Sequence, residues 1–301
     1  MRLTVLGCYA ATPRTLTNPT AQVLEINNHI VLIDCGEGTQ VELRRHKVKF
    51  SRINHIFISH LHGDHFFGLP GFISTMRLLG REKALHVYGP KGIKEAIILL
   101  LKLGDSWTNY PLLFHELSSK ESELVFEDSK ISVTTIPLDH RIYTNGYLFR
   151  EKEGKRKLNI EAAEEYGVDK AYFNNIKNGK NIRLDNGEVI SNSNLTYDPP
   201  KPKSYAFCSD TVFDQSLASR IKHVDVLYHE STFLKSEEDL AAKTKHSTAE
   251  QAAMVAKEAN VKTLVLGHYS TRYKSIELFK EEATAIFSNV LLADDGRTFD
   301  F

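Results

Sequence analysis

The sequence lacks most of what secreted and membrane proteins need. Its three cysteines, Cys8, Cys35 and Cys208, are scattered, with no C-x-x-C spacing and no even count, so no disulfide framework is expected. The opening "MRLTVLGCYAATP" has no apolar core long enough for a secretion signal, and the greasiest run, "AIILLLKLG" at residues 96–104, is far short of a bilayer span. Charge of either sign is not in excess. Lys plus Arg and Asp plus Glu both number 38, so any surface for a polyanion has to come from local clustering. No internal repeat is evident. These absences fit a soluble cytoplasmic protein without a membrane partner. Its 301 residues, 42% hydrophobic, suffice for one large domain or two small ones.

What is present is a succession of short β-type runs. "RLTVLG" comes first. "AQVLEI" and "HIVLIDCGEG" follow, separated by Asn27-Asn28, a hairpin signal. Next come "HIFISH", "LHVYGP", "ISVTTIPLDH", "SYAFCSDT", "VDVLYHES", "TLVLGHYS" and "NVLLADDG". Apolar residues at three- and four-residue spacing predict helices over 92–103, 247–259 and 276–287. Hairpins mixed with helical crossovers predict an α/β sandwich with more than one sheet. Residues 150–202 stand apart, rich in Lys, Asn and Glu and ending in "YDPPKPKS", with a hairpin expected at Asn186-Gly187 and a short helix in "NIEAAEEYG". Across 141–203 roughly a dozen basic residues face about nine acidic ones. A solvated insertion and an arm touching a polyanion both fit.

Six of the apolar runs are followed by a residue drawn only from His, Asp and Glu: Asp34, His60, His140, Asp210, Glu230 and His268. Strand ends are where α/β sheets bind ligands. The densest signal is "HLHGDH", residues 60–65. His60 and His62 point the same way along an extended chain, and Gly63 is expected to let it turn so that Asp64 and His65 face back. Four such groups crowded together call for a cation. Imidazoles and carboxylates without thiolates favour Zn²⁺, with Mn²⁺, Fe²⁺ or Co²⁺ as alternatives. The donors exceed what one tetrahedral ion needs, which points to a binuclear hydrolase. Ser247-Thr248-Ala249-Glu250 reads as a capping box, putting His246 just before a helix N-terminus, where a phosphate is well placed.

"HLHGDH", with "LIDCGEGTQ" before it and isolated His, Asp and His after it, resembles the metallo-β-lactamase superfamily. "FISHLHGDHFFGLPG", "VYGPKGIKE", "SDT", "HESTF", "HSTAEQAA" and "LGHYSTRY" then follow the order of the ribonuclease Z family in its short bacterial form, over residues 3–273. The resemblance implies a four-layer αββα sandwich, a single domain over 1–301 with an inserted, protruding tRNA-binding arm at 150–202. It implies two zinc ions per subunit: His60, His62 and His140 on the first, Asp64, His65 and His268 on the second, Asp210 bridging, and Asp34 orienting the histidine loop. Asp64 would also steer the attacking hydroxide, and His246, held by Glu230, would protonate the leaving 3′ oxygen. The arm would grip precursor tRNA, usually across a homodimer, through Lys152, Lys155, Arg156, Lys157, Lys170, Lys177 and Lys180. The implied activity is zinc-dependent removal of the 3′ trailer after the discriminator nucleotide, leaving a tRNA 3′-hydroxyl and a trailer 5′-phosphate. A hydrolase of small phosphodiesters or other esters, and an inactive RNA-binding homologue, are the competing readings. Three features depart from the family: "PRTLTN" at 13–18 lacks the usual basic residues, "YGVDKAY" replaces a Gly-Pro pair in the arm, and Ser209 precedes Asp210 where glycine is common.

Overall fold

A computed structural model describes residues 1–12, 15–184 and 186–301. Its contacts divide the chain into two units. The first holds Met1–Glu127, Ile131–Arg150 and Lys203–Phe301; the second holds Asp128–Lys130 and Glu151–Pro202.

The first unit contains two seven-stranded mixed sheets. One runs Thr298–Asp300, Arg2–Gly7, Ala21–Ile26, His29–Ile33, Ile53–Phe57, Leu85–Pro90, Leu112–Leu117 in spatial order. The other runs Val290–Leu292, Thr263–Gly267, Val226–Glu230, Ser204–Cys208, Thr144–Glu151, Ile131–Leu138, Leu124–Glu127. Alternation along the strands gives each sheet two apolar faces. Val5, Leu24, Val31 and Phe57 of the first sheet share a buried cluster with Tyr147, Phe149, Tyr205 and Phe207 of the second. The opposite face of the first sheet, with Val23, Leu32 and Ile56, packs on Phe72, Ile73, Ile97 and Leu101 of the helices Leu69–Leu78 and Ile93–Leu103. Ala252, Ala256 and Phe279, from the helices Ala249–Glu258 and Glu277–Thr284, are buried with the second sheet. Helix, sheet, sheet, helix is the four-layer sandwich expected from the sequence.

Each predicted strand is present. Asn27 and Asn28 both have positive φ, 41° and 68°, as a two-residue hairpin between twisted strands requires. Four strands of the two large sheets escaped the pattern reading: Leu112–Leu117, Leu124–Glu127, Thr144–Glu151 and Thr298–Asp300. The predicted capping box is shifted by one residue. Thr248 is the N-cap; its side chain accepts from the backbone N–H of Gln251, and the Gln251 side chain accepts from the N–H of Thr248. Glu250 instead pairs with Lys235. His246 therefore lies two residues before the cap.

The second unit has its own small core of Ala163, Val168, Ile176, Ile182, Ile190 and Leu195. Ile160–Glu165 is helical, capped by Asn159, and Ile182–Arg183 pairs with Val189–Ile190 around the Asn186-Gly187 turn. Among the described residues, no helix is long and apolar enough to cross a membrane.

Candidate metal centre

Sheet edges bring the candidate ligands together. Asp34 directly follows the strand His29–Ile33, and His60 lies on the loop after Ile53–Phe57. His140, Asp210 and His268 follow three strands of the second sheet, and Glu230 ends a fourth. Asp34, Asp210 and His268 have φ of 55°, 62° and 58°. Such left-handed backbone is uncommon outside glycine, and Asp and His are among the residues that tolerate it. The chain thus turns sharply where each strand ends. At Gly63 the chain leaves the extended backbone of His62 for a single helical turn, Gly63–Phe66, with Asp64 and His65 grouped with His268, and the missing Cβ leaves room for the Phe67 ring. The close approach lies at Gly68, where a Cβ would sit 2.0 Å from the Gly36 carbonyl oxygen.

One ligand atom from each of His60, His62, His140 and Asp210 falls within 4.8 Å of the others. Asp64, His65 and His268 form a second such group, and Asp210, His246 and His268 a third. Hydrogen-bond counting decides which nitrogens carry protons. The Ser59 hydroxyl lies 2.8 Å from Asp34 Oδ2 and donates to it, so His60 Nδ1, 3.0 Å from Ser59 Oγ, must donate to the hydroxyl. His65 Nδ1 donates to Asp34 Oδ2 at 2.7 Å. His140 Nδ1 donates to the Lys245 carbonyl at 2.9 Å. In all three rings Nε2 is then the nitrogen turned to the centre. His60 Nε2 and His140 Nε2 meet His62 Nδ1 at 2.9 and 3.3 Å. Burial pulls the pKa of His60, His62 and His140 down, which favours neutral imidazoles with lone pairs. Lone pairs converging in this way suit a cation.

The other side is anionic. Burial pushes the carboxyls of Asp64 and Asp210 up, yet the surrounding histidines outweigh it and hold both below the usual carboxylate range. Burial pulls His65 down, but Asp210, Asp34 and Asp64 raise it well above the ordinary imidazole value. Asp34 is fully buried, which pushes its carboxyl up. Ser59 N–H, Ser59 O–H and His65 Nδ1–H oppose that shift. His65 Nε2 and His268 Nε2 are buried without a hydrogen-bond partner, although Asp210 Oδ2 lies 3.2 and 3.4 Å away. Distance permits those bonds; direction does not. Two orphaned ring nitrogens beside a carboxylate edge fit a divalent ion in the proton's place. Ser209 Oγ donates to Asp210 Oδ2 at 2.9 Å, a contact that glycine would lack.

Beside this cluster, Glu230 is fully buried. Its Oε1 accepts from Thr211 N–H and His246 Nδ1–H, both at 2.8 Å, and its Oε2 accepts from Thr232 N–H and O–H at 3.2 and 2.5 Å. Burial would lower the pKa of His246, but the Glu230 charge and hydrogen bond push it up to about 9. His246 Nδ1 is 3.9 Å from Asp210 Oδ1, so the pair adjoins the candidate ligands. Sequence reasoning missed Arg141. Its charge acts on both His62 and His246, and only its position next to His140 hinted at that.

The arm residues differ among themselves. Lys155, Lys157, Lys170, Lys177 and Lys180 are exposed and Lys152 is half-buried. Arg156 is tied down, donating to Thr196 Oγ1 at 2.6 Å and pairing with Asp198, so its first role is holding the unit together. Tyr166, Tyr172 and Tyr197 are exposed there as well. In the 13–18 loop, Pro13 and Arg14 lie outside the described residues, and Asn18 is held to Asp295 Oδ2 through its N–H and Nδ2, at 2.6 and 3.0 Å.

Comparison with known proteins gives this geometry a family. Residues 1–144 match a family described as anti-Pycsar protein Apyc1. Ribonuclease Z of Bacteroides fragilis is 45% identical over 294 residues, covering 98% of this chain and 97% of that one. The crystal structure of the short form of human tRNase Z superposes with a TM-score of 0.72 at 27% identity, covering 100% and 99% of the two chains. YhfI of Bacillus subtilis, a metallo-β-lactamase fold protein, shares the fold at 17% identity, with a TM-score of 0.69 and 99% and 98% coverage. With identity of this order sustained along both chains, the protein belongs to the ribonuclease Z family and has the metallo-β-lactamase fold.

Proposed function

We propose that this protein is a metal-dependent endoribonuclease that removes the 3′ trailer from precursor tRNA, cutting after the discriminator nucleotide. The observation that carries this reading is the Glu230–His246 pair beside the His/Asp cluster. A phosphodiester cut that leaves a 3′-hydroxyl expels a 3′ oxygen, which needs a proton. His246 is the donor: Nδ1 is committed to Glu230, which leaves Nε2 for the substrate.

Two zinc ions are the proposed cofactors. His60, His62 and His140 would hold one and Asp64, His65 and His268 the other, with Asp210 near enough to serve either. When bound, such ions supply Lewis-acid charge and an activated water. Asp34 and Ser59 keep the His60 and His65 rings in the right tautomers. Asp64 orients the nucleophile, and Arg141 adds positive charge on the His62–His246 side, where a phosphate oxygen is to be received.

The 151–202 unit is the proposed tRNA grip. Glu151–Pro202 carries nine basic and nine acidic residues, so binding rests on local features, not on a net field. The exposed lysines contact phosphates, and Tyr166 and Tyr172, flanking the "GVDKA" that replaces a Gly-Pro pair, offer faces for unpaired bases. A homodimer is proposed through the neighbouring helices Leu69–Leu78 and Ile93–Leu103, which leave Leu78, Leu99, Leu100 and Leu103 exposed. The cytoplasm, where precursor tRNA is processed, is the proposed location.

The test is purified protein of counted metal content on one 3′-extended precursor tRNA with mapped product ends. A chelator-sensitive cut after the discriminator, lost in Asp64→Ala, is expected. Intact precursor alongside hydrolysis of a small diester would move the assignment to another substrate.

A further inference from the structure

One hydroxyl joins the metal cluster to the Glu230–His246 pair. Thr232 Oγ1 lies 2.5 Å from Glu230 Oε2, 2.9 Å from His268 Nδ1 and 3.3 Å from His246 Nδ1. Thr232 is 3% exposed and its backbone is pinned, its N–H donating to Glu230 Oε2 and its carbonyl accepting from Ser270 N–H. A hydroxyl has a single proton to give. Were it given to His268 Nδ1, two lone-pair-bearing oxygens would face each other 2.5 Å apart inside a fully buried site. The carboxylate of Glu230 can only accept, so the proton goes there. His268 Nδ1, at 2.9 Å from the same oxygen, must then be the donor.

We infer that Thr232 is a positioning residue: it fixes His268 with the proton on Nδ1 and the lone pair on Nε2, on the side of Asp64 and Asp210. The chain runs from His268 Nδ1–H to Thr232 Oγ1, from Thr232 O–H to Glu230 Oε2, and from His246 Nδ1–H to Glu230 Oε1. His268 Nε2 lies 3.4 Å from Asp210 Oδ2 and 3.9 Å from Asp64 Oδ2. Thr232 thus does for His268 what Ser59 does for His60 across the site, and it does so with the carboxylate that also holds His246. One side chain sets the geometry of a ligand and of the proton donor together. The assignment deepens the proposed function and rests on it for the identity of His268 as a ligand; the tautomer itself does not depend on any substrate.

Thr232→Val keeps the shape and removes the hydroxyl, and Thr232→Ser keeps the hydroxyl. In metal-free protein with ¹⁵N-labelled histidine at pH 8, the wild type and Thr232→Ser are expected to hold His268 as the Nδ1–H tautomer. Thr232→Val is expected to populate Nε2–H as well. Zinc affinity, measured by chelator competition, is expected to fall about 10- to 100-fold in Thr232→Val, the usual cost of losing a ligand's orienting partner, and to recover in Thr232→Ser. An unchanged His268 tautomer in Thr232→Val, or zinc affinity equal to wild type, overturns the inference. Failure of wild-type protein to cut precursor tRNA would instead count against the proposed function and leave the tautomer result standing.

Discussion

Replacing His246 by Asn tests the proton donor with little disturbance to the site. Alanine would leave the buried Glu230 charge short of a partner, and breaking a buried pair in that way costs about 3–5 kcal/mol. An Asn amide can still donate toward Glu230 Oε1, which His246 Nδ1 reaches at 2.8 Å, while Thr211 N–H continues to bind the same oxygen. What Asn cannot do is release a proton near neutral pH. With the imidazolium stabilised to about 9, nearly every His246 is charged at pH 7.5 in the parent protein. A positioned general acid contributes roughly 10²- to 10⁴-fold, or about 3–5 kcal/mol of barrier. His246→Asn is therefore expected to slow single-turnover cleavage of precursor tRNA by about that factor, with zinc content unchanged. The same scissile bond with sulfur in place of the bridging 3′ oxygen has a leaving group that departs without a proton. On that substrate the deficit should shrink to about tenfold or less. Equal deficits on both substrates, or loss of zinc from the variant, would refute the assignment.

Three other perturbations have defined outcomes. Burial pushes the Asp295 carboxyl up to about 6 from 3.8 despite its bonds from Asn18 and Cys8, so the folded protein holds that proton more tightly than the unfolded chain. The resulting cost grows between those two pH values and is fully present above them, at most about 3 kcal/mol. Denaturant titrations should show the parent gaining on Asp295→Asn by up to that amount as pH falls from 7 to 4; a pH-independent difference would contradict this. Gly68→Ala forces a methyl onto the Gly36 carbonyl oxygen and should cost about 2 kcal/mol or more of unfolding free energy, with weakened metal retention; parental stability would mean the two loops are not packed as described. Replacing Glu151–Pro202 by a short linker should abolish precursor tRNA cleavage and spare a small chromogenic phosphodiester, because that unit has its own core; equal loss of both would make the unit a folding element.

Much of the fold was legible because the strands that carry the candidate ligands are apolar runs closed by a His, Asp or Glu. The strand Thr144–Glu151 was not, for a specific reason. Its Asn145-Gly146 reads as a turn, yet Gly146 lies inside a central strand, where a Cβ would sit 2.3 Å from the Phe207 carbonyl oxygen. Thr298–Asp300 is three residues long and is defined by its pairing with Arg2–Gly7, from the other end of the sequence. The capping box was ambiguous by one position because "STAE" and "TAEQ" both satisfy the pattern; long-range contacts of Glu250 with Lys235 and Glu282 accompany the Thr248 frame. At the site, residue types and order pointed to a metal cluster, but Ser59 and Thr232 were passed over inside the runs "FISHLHGDH" and "HESTF", and Arg141 lies in no motif. Their parts follow from distances to residues that are far away in sequence or on the next strand.

The parallel strands Ser204–Cys208, Val226–Glu230 and Thr263–Gly267 run in step, with Cys208 opposite His229 and Glu230 opposite Gly267. Asp210, Glu230 and His268 stand at or just beyond the carboxyl ends of these three neighbouring strands. The interval between them is inherited from the pitch of backbone hydrogen bonds, about 4.8 Å, which no side-chain substitution alters. The edge works as a ruler whose graduations are set by peptide geometry and whose marks are whatever donors the sequence hangs there. Mutation can rewrite the marks one at a time without moving the scale. Changes of metal or of reacting group on this framework are therefore changes of donor chemistry at fixed spacing.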